Sequence, residues 1–172
     1  MNTRILVMLS LLVSMGAVMH AIAPPILFGM RPDMLLSMMF LGIMLFPTPK
    51  YVVLLSIVTG IMSALTTTVP GGEIANLIDK PITALVFFGL YLLTQNRVNG
   101  HIAAPILTAL GTIVSGSIFL AAALFIVSLL DGAFIPMFIT VVLPAAVVNT
   151  IVMTVIYPIV QGIMKRQTIT AS

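Results

Sequence analysis

The chain has 172 residues, 60% of them apolar and only 6% charged, where a soluble domain carries roughly 25% charge. With a mean hydropathy of +1.27, a chain this small cannot hide its apolar surface in a water-soluble core, so lipid is its solvent. The net charge of +3 comes from seven scattered basic residues that form no nucleic-acid patch, and the absence of cysteine removes disulfides, thiolate chemistry and cysteine metal sites.

Apolar stretches bounded by charge or by Pro/Gly clusters predict an all-α, polytopic helix bundle forming one integral membrane domain over residues 1–172. Six spans are expected: 5–23, 34–46, 51–69, 78–94, 102–130 and 134–164. The first is too long for the core of a signal peptide, and Pro24 follows the Ala21-Ile22-Ala23 sequence where cleavage would fall. On its faces, Ser10, Ser14, Ala17 and Ala21 make a small-residue stripe, with Met8, Met15 and Met19 roughly opposite. Small side chains let a second helix approach closely, either inside this protein or on a partner subunit. His20, at the end of this span, reads as a structural histidine.

Between the first two spans, Pro24-Pro25 and Pro32 exclude helix, and Asp33 is placed to cap the next one. Arg31 beside it is either a neighbouring loop charge or an anion-binding group. After the third span, Pro70-Gly71-Gly72 makes a tight turn leading to Glu73 and Asn76, which share a face if helical. A carboxylate and an amide there suit the charged groups of a small zwitterion. Asp79 and Lys80 read as solvated loop charges. The fourth span offers Phe87 and Tyr91 on one face, as packing or as a wall for a flat aromatic ligand. In the fifth, Gly111, Ser115, Gly116 and Ser117 mark close packing or a void. Asn149, deep in the last apolar run, must be paired with another helix or face a cavity.

With both termini cytoplasmic, the inner segments hold Arg4, Lys50, Arg97, Lys165 and Arg166 and no acid. The outer loops then hold Arg31 and Lys80 with Asp33, Glu73, Asp79 and Asp131. Five basic residues inside against two outside satisfy the positive-inside rule. None of the three lysines completes a P-loop, so any ATP hydrolysis belongs to another chain. The span interiors contain no Asp or Glu, which argues against an enzyme and against a stand-alone ion-coupled carrier. No metal site and no cofactor are expected.

The run Pro32-Asp33-Met34-Leu35-Leu36 through Leu41-Gly42-Ile43-Met44-Leu45 resembles the second-helix signature of the S-components of energy-coupling factor (ECF) transporters. Gly60-Ile61-Met62-Ser63-Ala64-Leu65, with Pro70-Gly71-Gly72 and Ile74-Ala75-Asn76, is similar to their third helix and its loop. The likeness covers nearly the whole chain and is greatest to the tryptophan transport family of Gram-positive bacteria. It implies a multi-pass protein of the bacterial cytoplasmic membrane that binds tryptophan or a similar aromatic solute near the outer face. It also implies a transmembrane coupling subunit and two ATPase subunits, docking where the family carries an alanine-rich motif and this chain has Ser10, Ser14, Ala17 and Ala21. Arg31, Glu73, Asn76, Phe87, Tyr91 and Asn149 are the expected substrate-binding residues. The resemblance itself supports Asn149, since an asparagine of the last helix contacts ligand in some relatives.

Overall fold

The computed structural model describes residues 2–24, 31–128 and 132–167. Most of the first connecting segment, and Leu129–Asp131 at the expected end of the fifth span, lie outside these residues.

Six helical segments follow in order: α1 (Thr3–Ile22), α2 (Met34–Leu45), α3 (Pro49–Thr66), α4 (Gly72–Thr94), α5 (Gly100–Val127) and α6 from Phe134 to Gln167. Their starts follow local chemistry. The Asn2 side chain accepts the Arg4 amide, Asp33 accepts the Leu36 amide, Asn99 accepts the His101 amide, and Pro49 opens α3. Five of the helices are long and apolar enough to cross a membrane. Large apolar side chains such as Leu11, Leu65, Leu93 and Ile139 lie exposed on them, as a lipid-facing surface requires.

α2 is different. Its 12 residues extend about 18 Å at 1.5 Å per residue, too short to span. Every residue from Met34 to Met44 is buried, so α2 is the central post of the bundle. The closest packing is built on glycine. A Cβ on Gly111 would lie 2.6 Å from Phe40 Cζ and 2.9 Å from Phe87 Cδ2. The bare backbone therefore admits the Phe40–Phe87 stack, whose centroids are 4.0 Å apart at 7°.

Two expectations are corrected here. α4 begins at Gly72, not residue 78, because Gly71 takes the left-handed conformation (φ 73°) and the Gly72 amide closes a turn onto Val69 O at 2.9 Å. Pro81 does not end a loop but lies inside this helix. Asp79 and Lys80 are therefore not solvated loop charges. They sit within a spanning helix, at 0% and 2% exposure, and the premise that the spans hold no carboxylate fails with them. The C-terminal end of α5 and the N-terminal part of α6 carry π-helical turns, over Ala122–Val127 and Phe138–Val142, a geometry that often accompanies functional sites.

Candidate functional site

Most of the polar side chains buried in this bundle lie toward one end, where α1, α3 and α5 finish and α2, α4 and α6 begin. Asp79 lies seven residues into α4, roughly 10 Å along the axis. A carboxylate at that depth is stable only with donors around it, and it has three. Lys80 Nζ and Ser115 Oγ donate to Oδ2, each at 2.6 Å, and Thr83 Oγ1 donates to Oδ1 at 2.6 Å. Lys80 Nζ also lies 2.6 Å from Asp33 Oδ2. One ammonium is thus shared by two carboxylates, and it ties the start of α2 to α4. Burial opposes ionisation of Asp33. The charge of Lys80, with hydrogen bonds from Lys80 and the Leu36 amide, outweighs it and holds the carboxyl below its ordinary range. His20 Nδ1 donates to Pro32 O at 3.1 Å, a structural bond, and the same side chain lines the cavity beside the cluster.

Beside this ion cluster is a cavity of about 100 Å³, counted as space for the centre of a water molecule. One water needs only about 10–15 Å³ on that measure, so a small organic solute is the appropriate occupant. Its polar wall includes Arg31, Asp33, Asn76, Lys80, Ser115 and Asn149, and its apolar wall includes Phe119, Leu120, Val141 and Val142. Gly116 brings α5 against α6, where an added Cβ would meet Val142 Cγ2 at 2.7 Å.

Three polar atoms in this wall are buried without a partner among the described residues: Arg31 Nε, Ser63 Oγ and Asn149 Oδ1. Arg31 is anchored by donating from Nη1 to Ala21 O at 2.9 Å. Asn149 donates to Thr112 Oγ1 at 3.3 Å, which orients its amide and leaves the carbonyl oxygen free. Orphaned polar atoms cost about 1–3 kcal/mol each, a cost that a ligand with matching groups relieves. The arrangement can hold a small solute carrying both charges on an apolar body.

The expected site residues divide into two groups. Arg31, Asn76 and Asn149 line the cavity, with Asn76 fixed by donating to Gly72 O at 2.9 Å and Ser63 O at 3.4 Å. Glu73, Phe87 and Tyr91 do not. Glu73 is exposed in the first turn of α4, Phe87 is stacked in the core, and Tyr91 packs half-buried against that core. Sequence reasoning missed Lys80 and Thr112 in the cavity wall and Asp79 behind it. The signal was present in the helical spacing of Asn76, Lys80 and Thr83, and again in Thr108, Thr112 and Ser115. Pro81 concealed the first of these by suggesting a loop.

A lipid-embedded bundle with a charged and amide-lined cavity at one end is the architecture of a membrane solute transporter. The comparisons agree, and the chain belongs to the tryptophan transporter family TrpP, whose model matches residues 2–165. It is 54% identical to the probable tryptophan transport protein of Bacillus subtilis, over 96% of this chain and 95% of that protein. Identity to the protein of the same description from Clostridium acetobutylicum is 42%, over 96% of each chain. That from Clostridium perfringens is 34% identical over 96% of this chain and 95% of its own. No solved structure matches the chain significantly. The family and the spanning helices make this a multi-pass protein of the bacterial cell membrane.

Proposed function

We propose that the chain captures tryptophan in the cavity between α1–α6 and is the substrate-binding subunit of an importer. The observation that carries this reading is that the orphaned Arg31 Nε and Asn149 Oδ1 line one cavity together with Asp33 and an apolar wall of Phe119, Leu120, Val141 and Val142. The α-carboxylate pairs with Arg31, the ammonium with Asp33, and the indole lies against Phe119, Leu120, Val141 and Val142. Its N–H donates to Asn149 Oδ1. In this assignment Asp33 takes the role first given to Glu73.

The charge distribution supports an outward-facing cavity, since Arg4, Lys50, Arg97 and Lys165 all lie on segments at the opposite end of the bundle. ATP hydrolysis by two partner subunits through an ECF-type coupling subunit fits a chain with no nucleotide-binding loop. The exposed face of α1 supports docking, because Ser10, Ser14 and Ala21 are exposed, with only Ala17 half-buried. Packing inside this protein accounts for Ala17, which lies against the core, and leaves Ser10, Ser14 and Ala21 exposed.

A stand-alone ion-coupled carrier is the second reading, favoured by one observation, the buried carboxylate of Asp79. Against it, all three Asp79 partners hold that carboxylate in place.

The chain contains no tryptophan, so indole fluorescence reports bound ligand alone. Purified protein should give a saturable blue shift of added tryptophan. In proteoliposomes of this chain alone, an imposed proton or sodium gradient should drive no uptake, while co-reconstitution with coupling and ATPase subunits should make uptake ATP-dependent. Gradient-driven uptake by the lone chain would replace the importer-subunit reading with the carrier. Absence of a shift from folded protein would remove tryptophan as the ligand.

A further inference from the structure

Asp79 does not line the cavity, yet it touches the group that does. Among the described residues, two fixed cations, Arg31 and Lys80, and one fixed anion, Asp33, face the ligand space, with His20 counted neutral. Those three alone would leave the site with one positive charge in excess. Such an excess is poorly screened in an interior with little water, and it would favour an anionic ligand over a zwitterion. Asp79 supplies the second anion from behind Lys80, 2.6 Å from its ammonium and at 0% exposure. Ser115 and Thr83 fix it there from α5 and from the next turn of α4. Glu73 is exposed and outside the cavity wall, so it does not enter the count.

We infer that Asp79 is a positioning residue that sets ligand charge: by neutralising Lys80 from outside the cavity, it makes the site select solutes of zero net charge bearing both an ammonium and a carboxylate. The inference rests on the proposed function and adds a discrimination that neither Arg31 nor Asn149 provides. A ligand without its carboxylate leaves Arg31 unpaired, and one without its ammonium leaves Asp33 facing only Lys80. A merely structural Asp79 would weaken all ligands alike when replaced. A charge-setting Asp79 changes their order.

The test uses three indoles, all read by fluorescence in this tryptophan-free chain: tryptophan, tryptamine (cationic) and indole-3-propionate (anionic). The wild-type protein should bind tryptophan at least tenfold more tightly than either analogue, by the strength of a hydrogen bond to a charged group. Asp79→Asn keeps the shape and removes the anion. It should shift the ratio of indole-3-propionate to tryptophan affinity upward by roughly tenfold or more, with tryptamine weakened further. Equal weakening of all three ligands would overturn the inference while leaving tryptophan capture intact. Failure of the wild type to bind any of them would instead overturn the proposed function. The double variant Asp79→Asn/Lys80→Gln removes the pair together, a change buried ion pairs often tolerate, and it decides the matter if the single variant does not fold. With both charges gone the count is again balanced, so the wild-type order should persist. An order moved toward tryptamine would show that the Lys80 charge was never balanced by Asp79.

Discussion

The two ends of this bundle solve opposite problems with the same helices. At the end away from the cavity and around α2, packing decides everything. Ile43, Phe40, Phe87, Leu55 and Tyr157 fill space, and glycine at positions 42 and 111 lets side chains reach backbone. At the other end α4, α5 and α6 leave space unfilled and spend their polar residues on it. The same α5 carries both programmes, with Gly111 closed against Phe40 and Phe87 and Gly116, five residues on, at the cavity wall. Stability therefore resides mainly in one end and recognition in the other, and the Asp33–Lys80–Asp79 cluster is the place where they meet.

That division can be broken most severely at the meeting point. Lys80→Met leaves the Asp79 carboxylate buried and unpaired, and removal of one partner from a buried ion pair costs about 3–5 kcal/mol. A large fall in thermal unfolding temperature in detergent, together with loss of ligand binding, is expected; an unchanged midpoint would mean the cluster holds nothing together. Next in size, Gly111→Ala drives a methyl into Phe40 and Phe87 and should cost about 1–3 kcal/mol of stability. Affinity in the folded fraction should stay within about twofold (far below the tenfold step that 1.4 kcal/mol represents), because the cavity is not touched. Asn149→Ala reverses that signature. Tryptophan binding should weaken about tenfold or more with the loss of a buried hydrogen bond, while stability falls by only about 1 kcal/mol, because the substitution removes the long Asn149–Thr112 hydrogen bond together with a carbonyl oxygen that was already unpaired. The smallest effect is expected from Glu73→Gln, with titrations superimposing on wild type. Weakening there would draw the exposed first turn of α4 into the site.

The fold was largely readable because lipid leaves a chain few options. All backbone polar groups must be satisfied within helices, and charge is scarce enough to mark most boundaries. The short second span was visible in its length, though not its central position, which depends on how the other five helices close around it. The site was only half readable. Arg31, Asn76 and Asn149 stood out as polar residues needing a reason, whereas Asp79-Lys80-Pro81 carried the composition of a loop. What moved that tripeptide into the helix was the left-handed turn at Gly71, a backbone property that sets a helix start six residues upstream of the expected start at residue 78. Phe87 and Tyr91 lie outside the cavity wall for a different reason. Periodicity assigns residues to a face but does not say whether that face meets a cavity or a packed core.

The central claim, that tryptophan occupies the cavity at the end of the bundle where α2 begins, can be tested by site protection, because the chain has no native cysteine. Val69→Cys places a thiol at the half-buried cavity wall, and Glu73→Cys places one on the exposed first turn of α4. Saturating tryptophan should slow modification of Val69→Cys by a small aqueous thiol reagent and leave Glu73→Cys unaffected. Protection of neither position, in protein that demonstrably binds tryptophan, would place the ligand elsewhere and contradict the account.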